Sequence, residues 1–217
     1  MAKRIFLSPS SQPENTYASG GTNEQEQCRR ISDAAAAALE RCGFEVINDK
    51  TGGYKDRVTR SNASDVDLHV AIHTNAFNGS VTGTRIFYYR DSNTEGKKAA
   101  FSVFGTLAPI TPGESDNVKP YAALYELSAT SAPAVYCECE FHDVPSAARW
   151  IIDHVTEIGE AIARGICEHF NVSYIPAPPA VIYRIQVGAF RDRNNAEAYL
   201  KTVREDFPQA FIVTAEL

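Results

Sequence analysis

Asp67-Leu68-His69-Val70-Ala71-Ile72-His73-Thr74-Asn75-Ala76 is the most informative segment of the chain. Leu68 to His73 is a short apolar run, and strand alternation sends Leu68, Val70 and Ile72 to one face and His69, Ala71, His73 and Asn75 to the other. A histidine at the carboxyl end of a buried parallel strand stands where α/β sheets bind their ligands. Standing alone, His73 reads as a hydrogen-bonded core histidine.

Working outward, residues 4–8, 44–48, 85–89 and 135–141 read as further strands. Helices are expected over 23–41, 55–65, 94–107 and 146–170. The clearest is the first, where Ile31, Ala34, Ala35, Ala38 and Leu39 recur at helical spacing and Gly43 stands at the stop position. Strands alternating with helices predict an α/β fold, with a mainly parallel sheet flanked by helices.

Pro133-Ala134-Val135-Tyr136-Cys137-Glu138-Cys139-Glu140-Phe141-His142-Asp143 is a second strand-like run. Regular alternation puts Glu138, Glu140 and His142 on the face opposite Val135, Cys137, Cys139 and Phe141. Two carboxylates and an imidazole on one side of a central strand are costly unless paired, metal-bound or wet. On an edge strand the same residues would be an ordinary salt-bridged face. Cys137 and Cys139 read as packing residues. A third segment, Gly20-Gly21-Thr22-Asn23-Glu24-Gln25-Glu26, opens the first helix, where acidic residues complement the helix dipole whatever else they do.

Together these segments resemble the zinc-dependent N-acetylmuramoyl-L-alanine amidases. In that family a first strand ends in Asp-Pro-Gly-His, a Glu opens the first helix, a Ser-Ile-His-Ala-Asn strand follows, and a Pro-Ala-Val-x-x-Glu-x-Gly-Phe strand closes the site. Ala71 to Ala76 and Pro133 to Phe141 carry the likeness, which spans roughly residues 3–171. It implies that Glu24 and His73 hold zinc and that Glu138 assists the attacking water. Zinc on three protein ligands keeps an open position and lowers the pKa of bound water, and a carboxylate can then move the proton to the leaving amine. One departure stands out. The family's first ligand histidine falls after Ser8-Pro9-Ser10, where this chain has Ser11 and Gln12. Gln12 is the candidate third ligand, with water, a displaced side chain such as His142, or loss of the metal as alternatives. Asn75, Glu140 and His142 are candidate substrate-binding residues.

Residues 174–180, Tyr-Ile-Pro-Ala-Pro-Pro-Ala, read as a proline-stiffened linker after a catalytic domain at 1–173. Beyond it, 183–190 and 210–214 alternate as strands around a helix at 194–205, a small β-α-β C-terminal unit. Tyr183-Arg184-Ile185-Gln186-Val187-Gly188-Ala189-Phe190 resembles the opening strand of SPOR peptidoglycan-binding domains. The likeness covers half of that domain, which implies wall binding and, because so small a unit buries little core, a homodimer through residues 181–217. Val187, Ala189, Leu200 and Ile212 are the candidate packing positions.

The chain has 217 residues with a net charge of −6, which offers no broad basic face for nucleic acid. No apolar run reaches the 18 or so residues of a spanning helix, so no membrane insertion is expected. Five cysteines lack paired zinc-type spacing and read as free thiols. Met1 to Pro9 is too short in apolar residues for an export-signal core, so the product is expected in the cytoplasm, acting on the wall after release. The expected activity is hydrolysis of the bond between N-acetylmuramic acid and L-alanine in bacterial peptidoglycan, as an endolysin or autolysin. A catalytically inactive wall-binding protein and a zinc carboxypeptidase of the stem peptide are the rival readings.

Overall fold

The first strand, β1 (Arg4–Pro9), buries Ile5, Phe6 and Leu7 completely, which requires cover on both faces of the sheet. The computed structural model supplies it, describing residues 2–178 and 185–214. Six strands, β1, β2 (Glu45–Asn48), β3 (Leu68–Asn75), β4 (Arg85–Tyr88), β5 (Asn117–Pro120) and β6 (Ala134–Phe141), lie in the order β2-β1-β3-β6-β4-β5. Every pairing is parallel except β4 with β6. The sheet is the mainly parallel one expected, with β3 and β6 at its centre. β6 is therefore not an edge strand, and the ordinary reading of its acidic residues falls away.

Three helices, α1 (Glu24–Arg41), α3 (Thr94–Leu107) and α6 (Val155–Phe170), pack against Leu68, Val70, Ile72, Val135, Cys137 and Cys139 in one core. Burying side chains such as Ile162 and Leu107 stabilises this layer by about 1.5–3 kcal/mol each. Glycine permits the close helix contacts. A Cβ at Gly159 would lie 2.6 Å from Ala34 Cβ and one at Gly165 would lie 2.5 Å from Val103 Cα. All five cysteines are buried and free.

The other face carries α2 (Tyr54–Ala63) and a four-residue helix, α4 (Tyr125–Ser128), over a smaller cluster of Ala71, Phe87, Leu127, Ala134 and Tyr136. Neither β5 nor α4 is legible in the sequence, being too short to show a period. The stretch expected as one helix over 146–170 is broken at His154 into α5 (Pro145–Asp153) and α6.

The chain divides into two compact units at Ala177/Pro178. The C-terminal unit contains α7 (Arg193–Asp206), started by Asp192, whose Oδ1 accepts from Asn195 N at 3.1 Å. The strands expected at 183–190 and 210–214 are not formed over 185–190 and 211–214, where the backbone finds no ladder partner. Tyr183, Arg184 and linker residues 179–180 lie outside the described residues. No helix among the described residues is long and apolar enough to cross a membrane.

Candidate active site

Asn23 caps α1, its Oδ1 accepting from Glu26 N at 2.9 Å, and this places Glu24 at the first helical position against the end of β3. Glu24 is 1 % exposed. Its Oε1 lies 2.7 Å from His73 Nδ1, and its Oε2 accepts from Asn15 Nδ2 at 2.6 Å. The His73 ring stacks on Tyr136 with centroids 4.4 Å apart. On its far side, Nε2 lies 3.5 Å from Oε2 of Glu126, on α4.

Glu126 is also buried. Its Oε1 accepts from Ser8 Oγ at 2.5 Å and lies 3.4 Å from His69 Nε2, while His69 Nδ1 meets Ser61 Oγ at 3.0 Å. The His69 ring stacks on Phe6. Burial opposes the His73 imidazolium, yet its contacts with Glu126 and Glu24 outweigh this and hold its pKa up at about 10. Burial likewise opposes the Glu126 carboxylate, and the two histidines bring it down to about 2. Glu24 is lowered in the same way by His73.

Glu138 pairs directly with His73 across the β3–β6 ladder. Its Oε2 is buried with no hydrogen-bond partner among the described residues. Burial pushes its pKa up to about 8; the His73 charge opposes this, Glu24 adds to it, and Arg85, opposite on β4, pulls it down. A lone raised carboxyl beside a charged pair is the profile of a proton-transferring group.

The expected alliance of Glu138 with Glu140 and His142 is not formed. The ladder runs His73 to Glu138 and then Asn75 to Phe141, so β6 carries one extra residue and its alternation reverses. Phe141 comes under the Arg85 guanidinium at 5.0 Å, on the Glu138 side. Glu140 turns away, its Oε1 accepting from Gly83 N at 2.6 Å and Phe141 N at 2.8 Å. His142 stacks on Tyr17, and its Nδ1 meets Thr74 Oγ1 at 2.9 Å. Asn75 Oδ1 accepts from its neighbour Ala76 N. Gln12 stays at the rim, its N donating to Ser10 Oγ at 3.3 Å and its Oε1 accepting from the same hydroxyl at 3.3 Å.

A family model described as N-acetylmuramoyl-L-alanine amidase matches residues 9–168. The chain belongs to this family. Among solved structures, the amidase AmiC2 of Nostoc punctiforme shares 22 % identity at a TM-score of 0.69, over 78 % of this chain and 97 % of its own. An amidase from Clostridium difficile 630 shares 22 % at a TM-score of 0.71, over 78 % and 97 %. The catalytic domain of CwlV, from Bacillus (Paenibacillus) polymyxa var. colistinus, shares 20 % at 0.69, over 80 % and 100 %. At these identities the likeness is one of fold. A SPOR-domain model matches residues 179–216. No curated protein matches the chain.

The amidase unit fits a zinc ion at two positions. Glu24 and His73 are a carboxylate and an imidazole side by side, both zinc-ligand types. Glu24 and Glu126 set two buried carboxylates against the one His73 imidazolium, an excess of negative charge that a cation relieves. Among the described residues no three His, Cys, Asp or Glu side chains are grouped to hold a metal. Sequence reasoning missed Glu126 and the roles of Ser8 and His69. A single Glu inside Leu124-Tyr125-Glu126-Leu127 carries no signal of its own.

Proposed function

We propose that this amidase cleaves the bond between N-acetylmuramic acid and L-alanine in peptidoglycan with Glu138 as its proton-transferring carboxylate. The observation that carries this is the unpartnered Oε2 of Glu138 beside the Glu24–His73 pair. Glu138 takes a proton from the attacking water and returns it to the leaving amine. Glu24 and His73 would hold a zinc ion, which when bound would supply Lewis acidity to the amide carbonyl and an acidified water. Tyr136 fixes the His73 ring by stacking, which keeps the ligating nitrogen aimed.

Mass spectrometry of purified sacculi digested with the full chain tests the reading. Peptides ending in a free L-alanine amine support it. Loss of only terminal residues from the stem peptide would indicate a carboxypeptidase, and no released product would indicate a wall-binding protein without catalysis.

The C-terminal unit is read as a wall-targeting module that pairs two chains. Helix α7 has no buried residue, while Ile185 is 91 % and Phe211 72 % exposed. Of the candidate packing positions, Val187, Ala189 and Ile212 are exposed and Leu200 is half-buried. Such a surface is covered by a second copy or by glycan, and two wall sites per particle raise avidity. The protein is further read as an endolysin or autolysin acting on the wall after release from the cell.

A further inference from the structure

One buried charge is unused by the chemistry described so far. Glu126 is 3 % exposed and sits beneath the sheet face between two histidines, 3.4 Å from His69 Nε2 and 3.5 Å from His73 Nε2. A carboxylate buried this deeply is costly unless a partner offsets its desolvation. The partner is legible from which side of each ring it occupies.

His73 presents Nδ1 to Glu24 and turns Nε2 the other way, toward Glu126. The imidazole has only these two polar atoms, and with Tyr136 against its ring face an acceptor at Nε2 settles how it is held. Glu126 is itself fixed from outside the pair. Ser8 donates to its Oε1 at 2.5 Å from β1, and Ser61 anchors His69 behind it from α2. Thr130 Oγ donates to the Glu126 carbonyl, closing the turn of α4.

We propose that Glu126 is a positioning residue of the amidase site, accepting the Nε2 proton of His73 so that Nδ1 is the nitrogen presented to Glu24 and the cation. Carboxylates placed behind a ligating imidazole in this way set its tautomer and ring angle, and losing one costs about 10–100-fold in metal affinity or activity. The inference rests on His73 being a ligand, as read above.

The test uses the full chain and the variant Glu126→Gln, which keeps the shape and removes the charge. A long-range proton–nitrogen NMR spectrum reports the protonation of both His73 nitrogens, an imidazolium in the metal-free protein and Nε2–H alone once zinc takes Nδ1, and zinc affinity is measured by competition with a chelating dye. On a soluble muropeptide, kcat is expected to fall about 10–100-fold with KM within about twofold, zinc affinity to weaken by a similar factor, and the His73 nitrogen shifts to move. Glu126→Asp should recover part of each loss. His73 signals and zinc affinity unchanged in Glu126→Gln would overturn the proposal, as would a fall in Tm with kcat and affinity intact. If Glu126→Gln does not fold, Glu126→Asp must show the same His73 displacement in smaller measure, and its absence there also overturns it. Should the wild type release no L-alanine-ended peptides, the amidase reading fails, while the NMR and zinc arms still decide the role of Glu126.

Discussion

Glu24 Oε1 and His73 Nδ1 lie 2.7 Å apart, although 49 residues separate them in the chain. The contact joins the first residue of a helix on one layer to the end of a central strand, and it holds only because α1 and β3 share a core. Glu138 on the next strand is left with an unpartnered oxygen beside this pair.

Glu138→Gln should abolish hydrolysis, a loss of about 10²–10⁴ in rate, with zinc content retained. It should also stabilise the protein in alkali. Burial raises the Glu138 pKa to about 8, above the roughly 4.3 of an unfolded chain, so the folded state keeps a proton that the unfolded state releases between those values. That contribution is fully present below about pH 4 and is lost as pH rises through 8. The Tm difference between Glu138→Gln and wild type should therefore grow from pH 5 to pH 9. Thermal scans at both values check this, and an equal difference at each would remove the buried-carboxylate assignment.

Glu140→Ala separates support from chemistry. Its carboxylate holds Gly83 N and Phe141 N, so its loss leaves buried donors unpaired at about 1–3 kcal/mol. Tm should drop by several degrees while turnover per folded molecule stays within about threefold. Turbidity clearing normalised to folded protein measures it.

Chelation should inactivate the enzyme and added zinc restore it, because one imidazole and one carboxylate are a weaker set than a three-ligand site. His73→Ala should bind little zinc and resist restoration. Elemental analysis after dialysis decides, and full zinc in His73→Ala would mean the metal sits elsewhere.

Gly159→Ala and Gly165→Ala should each destabilise by about 1–3 kcal/mol, since the added Cβ would meet α1 and α3 at 2.6 Å and 2.5 Å. For a chain this size the Tm loss is about 2–4 °C per kcal/mol. Calorimetry of the two variants tests whether these helix contacts are as close as described.

A chain ending at Ala177 should sediment as a monomer and keep its activity on soluble fragments, whereas the full chain should run as a dimer and bind sacculi more tightly. Two monomers in sedimentation would refute pairing through 181–217 and leave the unit as a glycan binder alone.

The strand and helix layers of this protein are legible in its sequence alone. Alternation in 68–75 and 134–139 and the helical spacing of 31–39 are local properties, each repeated often enough to be read without knowing the neighbours. Glu24, His73 and Glu138 were singled out through the family resemblance, and the local periods only placed them on their elements. What surrounds them comes from the packing of distant segments. One extra residue in β6 reverses the faces of Glu140 and His142, and no pattern in a single strand reveals a mismatch that exists only against its partner. Glu126 belongs to a helix of four residues, too short for any period, and is drawn beneath His73 by Ser8 from β1 and by His69 from the same strand as His73. Its role arises from burial and charge pairing at distance, which chain order does not encode locally.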